Sequence, residues 1–108
     1  MPAPIDDALA WLAGQRRALE DLLADLVERS SFTRDPAGVT AVVEVVEAAL
    51  RRAGLPSERL ASATFGPHLA FRGPAAGAPV FLVGHTDTVF PAETFRGNFI
   101  GGFYAEYF

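Results

Sequence analysis

Cysteine is absent from this 108-residue chain, which excludes a disulfide framework, a thiolate metal site and a thiol nucleophile. Lysine is absent as well. All nine basic residues are arginine, so Schiff-base chemistry through a lysine is excluded and any cationic role falls to guanidinium groups of fixed charge. Positive charge is scarce beside thirteen acidic residues. The net charge of -4 is the wrong sign for a default binder of nucleic acid or of an anionic membrane, so neither is an expected partner. No apolar run approaches the roughly 20 residues that a membrane-spanning helix needs. The opening Met1-Pro2-Ala3-Pro4, followed by Asp6-Asp7, lacks the basic and apolar regions of a secretory signal, and a cytoplasmic location is the default expectation. What is present is ordinary for one globular domain: 50% hydrophobic, 20% charged and 11% aromatic residues.

Periodicity organises the first half. Leu9, Leu12, Leu19, Leu22, Leu23, Leu26 and Val27 recur at three- and four-residue spacing, which predicts one long amphipathic helix from Asp6 to Val27. Arg16 and Arg17 each stand four residues before an acid, Glu20 and Asp21, giving small surface support. Ser30, Ser31 and Thr33 interrupt the period and read as turn residues, since no His or Lys neighbour in sequence makes any of them a nucleophile. Asp35-Pro36 then supplies an N-cap and a first-turn proline for a second helix. Its stripe is Val39, Val42, Val43, Val46 and Leu50, and Gly54 before Pro56 ends it near Ala53.

Beyond Pro56 the pattern becomes strand-like. Leu60 to Phe65 and Leu69 to Phe71 read as neighbouring strands punctuated by Gly66-Pro67 and Gly73-Pro74, and Val80 to Val83, apolar on both faces, as a strand buried on both sides. The expected fold is α/β: a partial three-layer sandwich, with two N-terminal helices packed on a short sheet that has a buried central strand.

Polar side chains follow that run abruptly in Gly84-His85-Thr86-Asp87-Thr88-Val89-Phe90-Pro91. Alternation along a strand puts His85 and Asp87 on one face, near enough for the carboxylate to act on the imidazole. Ligands of open α/β sheets collect beyond the carboxyl ends of strands, and a neutral imidazole there suits zinc, with a carboxylate to fix its tautomer. A lone His-x-Asp pair also occurs as a plain hydrogen-bonded local pair. Elsewhere, His68 reads as a turn residue and Arg72 as a solvated strand end. Phe95, Phe99, Phe103, Tyr104, Tyr107 and Phe108 form an aromatic tail whose glycines, Gly97, Gly101 and Gly102, weaken helical order.

The stretch from Val80 to Pro91 resembles the first metal-site motif of the zinc metallopeptidase family that includes glutamate carboxypeptidase, acetylornithine deacetylase and succinyl-diaminopimelate desuccinylase. That motif is an apolar strand followed by Gly-His-x-Asp-Thr-Val and often Phe-Pro. The layout of Asp6 to Arg96 is similar too, with Ser30-Ser31 matching a serine-containing loop. The resemblance implies that His85 ligates one of two zinc ions and that Asp87 has a catalytic supporting role, orienting the ligand. It implies hydrolysis of amide bonds in peptides or N-acyl amino acids, and in the full-length enzyme a homodimer. The bridging Asp, the Glu-Glu pair and the later ligands of that family have no counterpart here: after Asp87 the acids are Glu93 and Glu106, and no histidine follows His85. The expectation is therefore an N-terminal fragment of a catalytic domain, inactive alone. The alternative is a non-catalytic remnant or interaction module without a metal centre.

Overall fold

The computed structural model describes residues 4–73, 77–89 and 91. Among them are three helices, α1 (Pro4–Ala13), α2 (Arg16–Val27) and α3 (Pro36–Arg52), and two strands, β1 (Ser57–Leu60) and β2 (His68–Phe71). Helices and strands are thus both present, as expected of a mixed α and β chain.

The single helix expected from Asp6 to Val27 is two. Gly14 N–H donates to Trp11 O and Gln15 N–H to Leu12 O, closing α1 with tight turns, and Arg16 starts α2. Glycine costs about 1 kcal/mol against alanine inside a helix. The leucine stripe also skips the turn after Leu12, so no buried side chain offsets that cost at Gly14-Gln15-Arg16. The expected surface pairs are formed, Arg16 with Glu20 at 2.8 Å and Arg17 with Asp21 at 3.5 Å.

α3 is the centre of the packing and touches α2, β1 and β2. Its start and stop follow the local sequence. Asp35 accepts from Gly38 N–H at 3.2 Å with Pro36 in the first turn. At the other end Gly54 takes φ +76°, Gly54 N–H donates to Arg51 O and Leu55 N–H to Leu50 O, the two bonds of a Schellman cap. Valine is a mediocre helix former, so the valines of α3 are held helical by what they bury. Among the described residues the buried hydrophobic side chains are Val39, Val42 and Val43, and Val43 is fully enclosed. Gly66, in the β1–β2 connection, lies against Val39 so closely that a Cβ there would overlap its side chain.

β1 and β2 pair antiparallel, Ser57 opposite Phe71 and Leu60 opposite His68. The first strand therefore ends at Leu60, where the sequence reading has it begin. Ser62 Oγ accepts from Phe65 N–H at 3.0 Å, and this local turn, followed by Gly66-Pro67, diverts residues 61–67 into a connection. Arg59 on β1 donates to both carboxylate oxygens of Glu47 on α3, at 3.0 Å each, fastening the hairpin to the helix.

The buried central strand requires correction. Val80 to Val83 belong to no ladder among the described residues and are 79–93% exposed. Apolarity on both faces records the burial a run needs, not the layers that would provide it. Pairing instead occurs further along, at an isolated parallel bridge between Phe32 and Thr88.

Gly66→Ala must push Val39 aside, so it is expected to destabilise the chain by about 1–3 kcal/mol in urea unfolding, while Gly73→Ala, in open space, leaves the midpoint unchanged. Equal midpoints would contradict the contact. Bonds from Arg59 hold the Glu47 carboxyl below its ordinary value. Stability from this pair is complete above the ordinary glutamate value and is lost as pH falls through the lowered one. Thermal melting of Glu47→Gln against the parent between pH 2 and about 6 should show a smaller acid-side decline in the variant.

Candidate functional site

Two stretches distant in sequence meet at this site: the loop between α2 and α3, and the segment after Val83. Thr88 N–H donates to Ser31 O at 2.8 Å and Thr33 N–H to Thr88 O at 3.0 Å, the two bonds of the parallel bridge. Thr33 also donates its hydroxyl to Asp87 Oδ2 at 2.6 Å. The loop is itself anchored. Ser31 is buried, Asp35 N–H donates to Phe32 O at 2.8 Å, and Gly38 in the first turn of α3 lies so close that a Cβ would strike the Ser30 carbonyl.

His85 and Asp87 come together, although residues 84–87 form no strand and the closest contact is with the main chain. His85 Nδ1 is 2.7 Å from the Asp87 carbonyl oxygen and 3.4 Å from Asp87 Oδ1. A carbonyl only accepts, so Nδ1 carries the hydrogen, and in the neutral ring the lone pair resides on Nε2. The imidazole is 82% exposed and its acidic neighbour 37%. An exposed Nε2 acceptor on a ring fixed through Nδ1 is a competent donor to a divalent cation. Gly84, beside them, has nothing within 4 Å of a Cβ position, so sterics do not demand glycine there.

No known protein family, curated protein or solved structure matches this chain.

The remaining sequence-derived residues separate from this pair or lie outside the described residues. His68 opens β2 and Arg72 follows it, both exposed. Glu93, Glu106 and the tail from Phe95 to Phe108 lie outside the described residues. Among the described residues no three His, Asp or Glu side chains group as a metal would require. A groove of about 250 Å³ between α2 and α3, lined by Asp25, Arg29, Glu44, Val45 and Arg52 among others, includes none of the site residues. Sequence reasoning missed Thr33. Its hydroxyl acts on a group 54 positions away, and no local pattern in the sequence links the two.

The hydroxyl of Thr33 is the main cause that holds the Asp87 carboxyl below the ordinary aspartate value, with its own backbone N–H and the His85 ring adding to it and desolvation opposing. Contacts made by the carboxylate are complete above the ordinary value and are lost as pH falls through the lowered one. Carbon-13 titration of the Asp87 carboxyl should give a midpoint below the ordinary aspartate range; a midpoint at or above it would contradict the geometry.

Proposed function

We propose that the chain carries the first metal-ligand segment of a zinc-dependent hydrolase of amide bonds in peptides or N-acyl amino acids. His85 is the zinc ligand, through Nε2, and Asp87 is the supporting carboxylate that orients it. The observation carrying this reading is the ring of His85, held at Nδ1 by the Asp87 carbonyl, with the side chain exposed among the described residues. The resemblance of Val80 to Pro91 to the metallopeptidase motif supplies the reaction class.

The donor chemistry of His85 fits one position in a zinc shell. A catalytic zinc takes three protein ligands and leaves one position open, so the described residues complete no hydrolytic centre among themselves. Zinc would supply Lewis acidity toward a scissile carbonyl. The chain's own part is to present a neutral imidazole in one tautomer and to keep a carboxylate beside it. Further polypeptide would bring the remaining ligands and the general base. The partial three-layer sandwich belongs to the same proposal, with Val80 to Val83 as its inner strand once flanking chain pairs with it.

A second reading, an interaction module without a metal centre, draws on different residues. Ile5, Leu9 and Trp11 on α1 and the run Val80 to Val83 expose large apolar side chains, a surface of the kind that marks association.

Nitrogen-15 spectra of the two histidines during a zinc chloride titration separate these readings, because His68 is an internal control. The zinc reading expects a saturable shift at His85 Nε2 that is larger than any at His68 and is eliminated by His85→Ala. Equal responses of the two rings would favour the interaction module.

A further inference from the structure

We propose that Thr33 is a positioning residue for His85, the loop between α2 and α3 acting through Asp87 to hold the imidazole with Nε2 outward. The inference rests on the reading of His85 as a zinc ligand and adds what determines its orientation.

The Asp87–Thr88 peptide is trans, so its N–H and its C=O point in opposite directions. Thr88 N–H is tied to the carbonyl of buried Ser31, which turns the Asp87 carbonyl the other way, where His85 Nδ1–H meets it at 2.7 Å. Thr33 secures the next peptide, Thr88–Val89, by donating N–H to Thr88 O, so the loop holds both peptides that flank Thr88. Its single hydroxyl proton has two acceptors in range, Asp87 Oδ2 at 2.6 Å and Thr88 O at 3.1 Å, and the nearer, charged oxygen takes it. With Oδ2 engaged, Oδ1 is the carboxylate oxygen facing the ring, at 3.4 Å. One loop thus controls both oxygens that border Nδ1. Without the Thr33 hydroxyl the carboxylate is free to rotate, its oxygens compete for Nδ1 or for Thr88, and the ring loses its fixed direction.

The test uses the full chain and its Thr33→Val and Thr33→Ser variants, valine keeping the shape and removing the donor, serine keeping the donor. Two quantities are read for His85: the tautomer of the neutral ring from its nitrogen-15 shifts, and the zinc concentration that half-saturates the Nε2 shift. The parent and Thr33→Ser should hold the Nδ1–H tautomer. Thr33→Val should move toward the mixture of a free imidazole and require about 10-fold or more zinc, against a change within about twofold for Thr33→Ser. A folded Thr33→Val chain that keeps both the tautomer and the zinc midpoint overturns the proposal. If valine abolishes the helical circular dichroism, Thr33→Ser decides: a folded serine variant that loses the Nδ1–H tautomer overturns it and one that keeps it supports it. A parent chain with a Thr33-dependent tautomer but no zinc response at His85 refutes the zinc reading and leaves the positioning role standing.

Discussion

The bond from the Thr33 hydroxyl to the Asp87 carboxylate spans 54 positions, and the geometry of the site depends on it and on the short bridge beside it. A charge-assisted hydrogen bond contributes roughly 1.5–3 kcal/mol where it is buried, and less where water reaches it, as at this half-exposed carboxylate. Alone it would be a weak clasp. Three bonds act on one short segment, however, and two of them are main-chain bonds, one to each of the peptides that flank Thr88. Much of the intervening chain is already folded as α3, β1 and β2, so the entropy of closing this link is that of a shorter free stretch than its sequence separation suggests.

The clasp has a firm base because α3 does. Asp35 caps that helix, Gly38 lets its first turn approach the Ser30 carbonyl, and the valines one and two turns on are the buried ones. The order of causes runs from the Val39, Val42 and Val43 face to the helix N-terminus, then to the loop, then to Asp87, and last to the imidazole. β1 and β2 reinforce the same helix through Arg59 and Glu47 and through the close fit of Gly66 on Val39. α1 contributes no buried residue, and its apolar side chains are open to solvent, so it takes no part in this chain of support.

Local chemistry was legible and distant chemistry was not. Asp35-Pro36 and Gly54 mark the ends of α3 because capping is decided within a few residues, and the structure has both devices in place. Leucine spacing revealed helical character on either side of Gly14 but not the break, since a stripe that skips one turn still fits the period. For β1 the strand-like run from Leu60 to Phe65 lies several residues too late, because a serine-backed turn at Ser62 outweighs strand propensity there. The run Val80 to Val83 misled for a different reason: burial requires partners, and a sequence of four apolar residues does not say where they are. At the site, the i, i+2 spacing places His85 beside Asp87 even without a strand, yet the shorter contact is with a carbonyl, which every residue possesses and no side-chain pattern advertises.

That carbonyl changes what a single histidine can offer a metal. A freely rotating exposed imidazole must give up side-chain entropy and its mixture of tautomers when it coordinates, and both losses weaken the bond it makes. A ring already tied at Nδ1 has given up much of this before any ion arrives. One such ligand still cannot retain zinc tightly, because affinity grows with the number of donors that converge. In the proposed centre this chain therefore contributes orientation more than affinity: it offers a lone pair in a set direction, and the loop between α2 and α3 determines that direction. Further donors arranged around it would meet a ligand that need not reorganise, the condition under which each added contact contributes most.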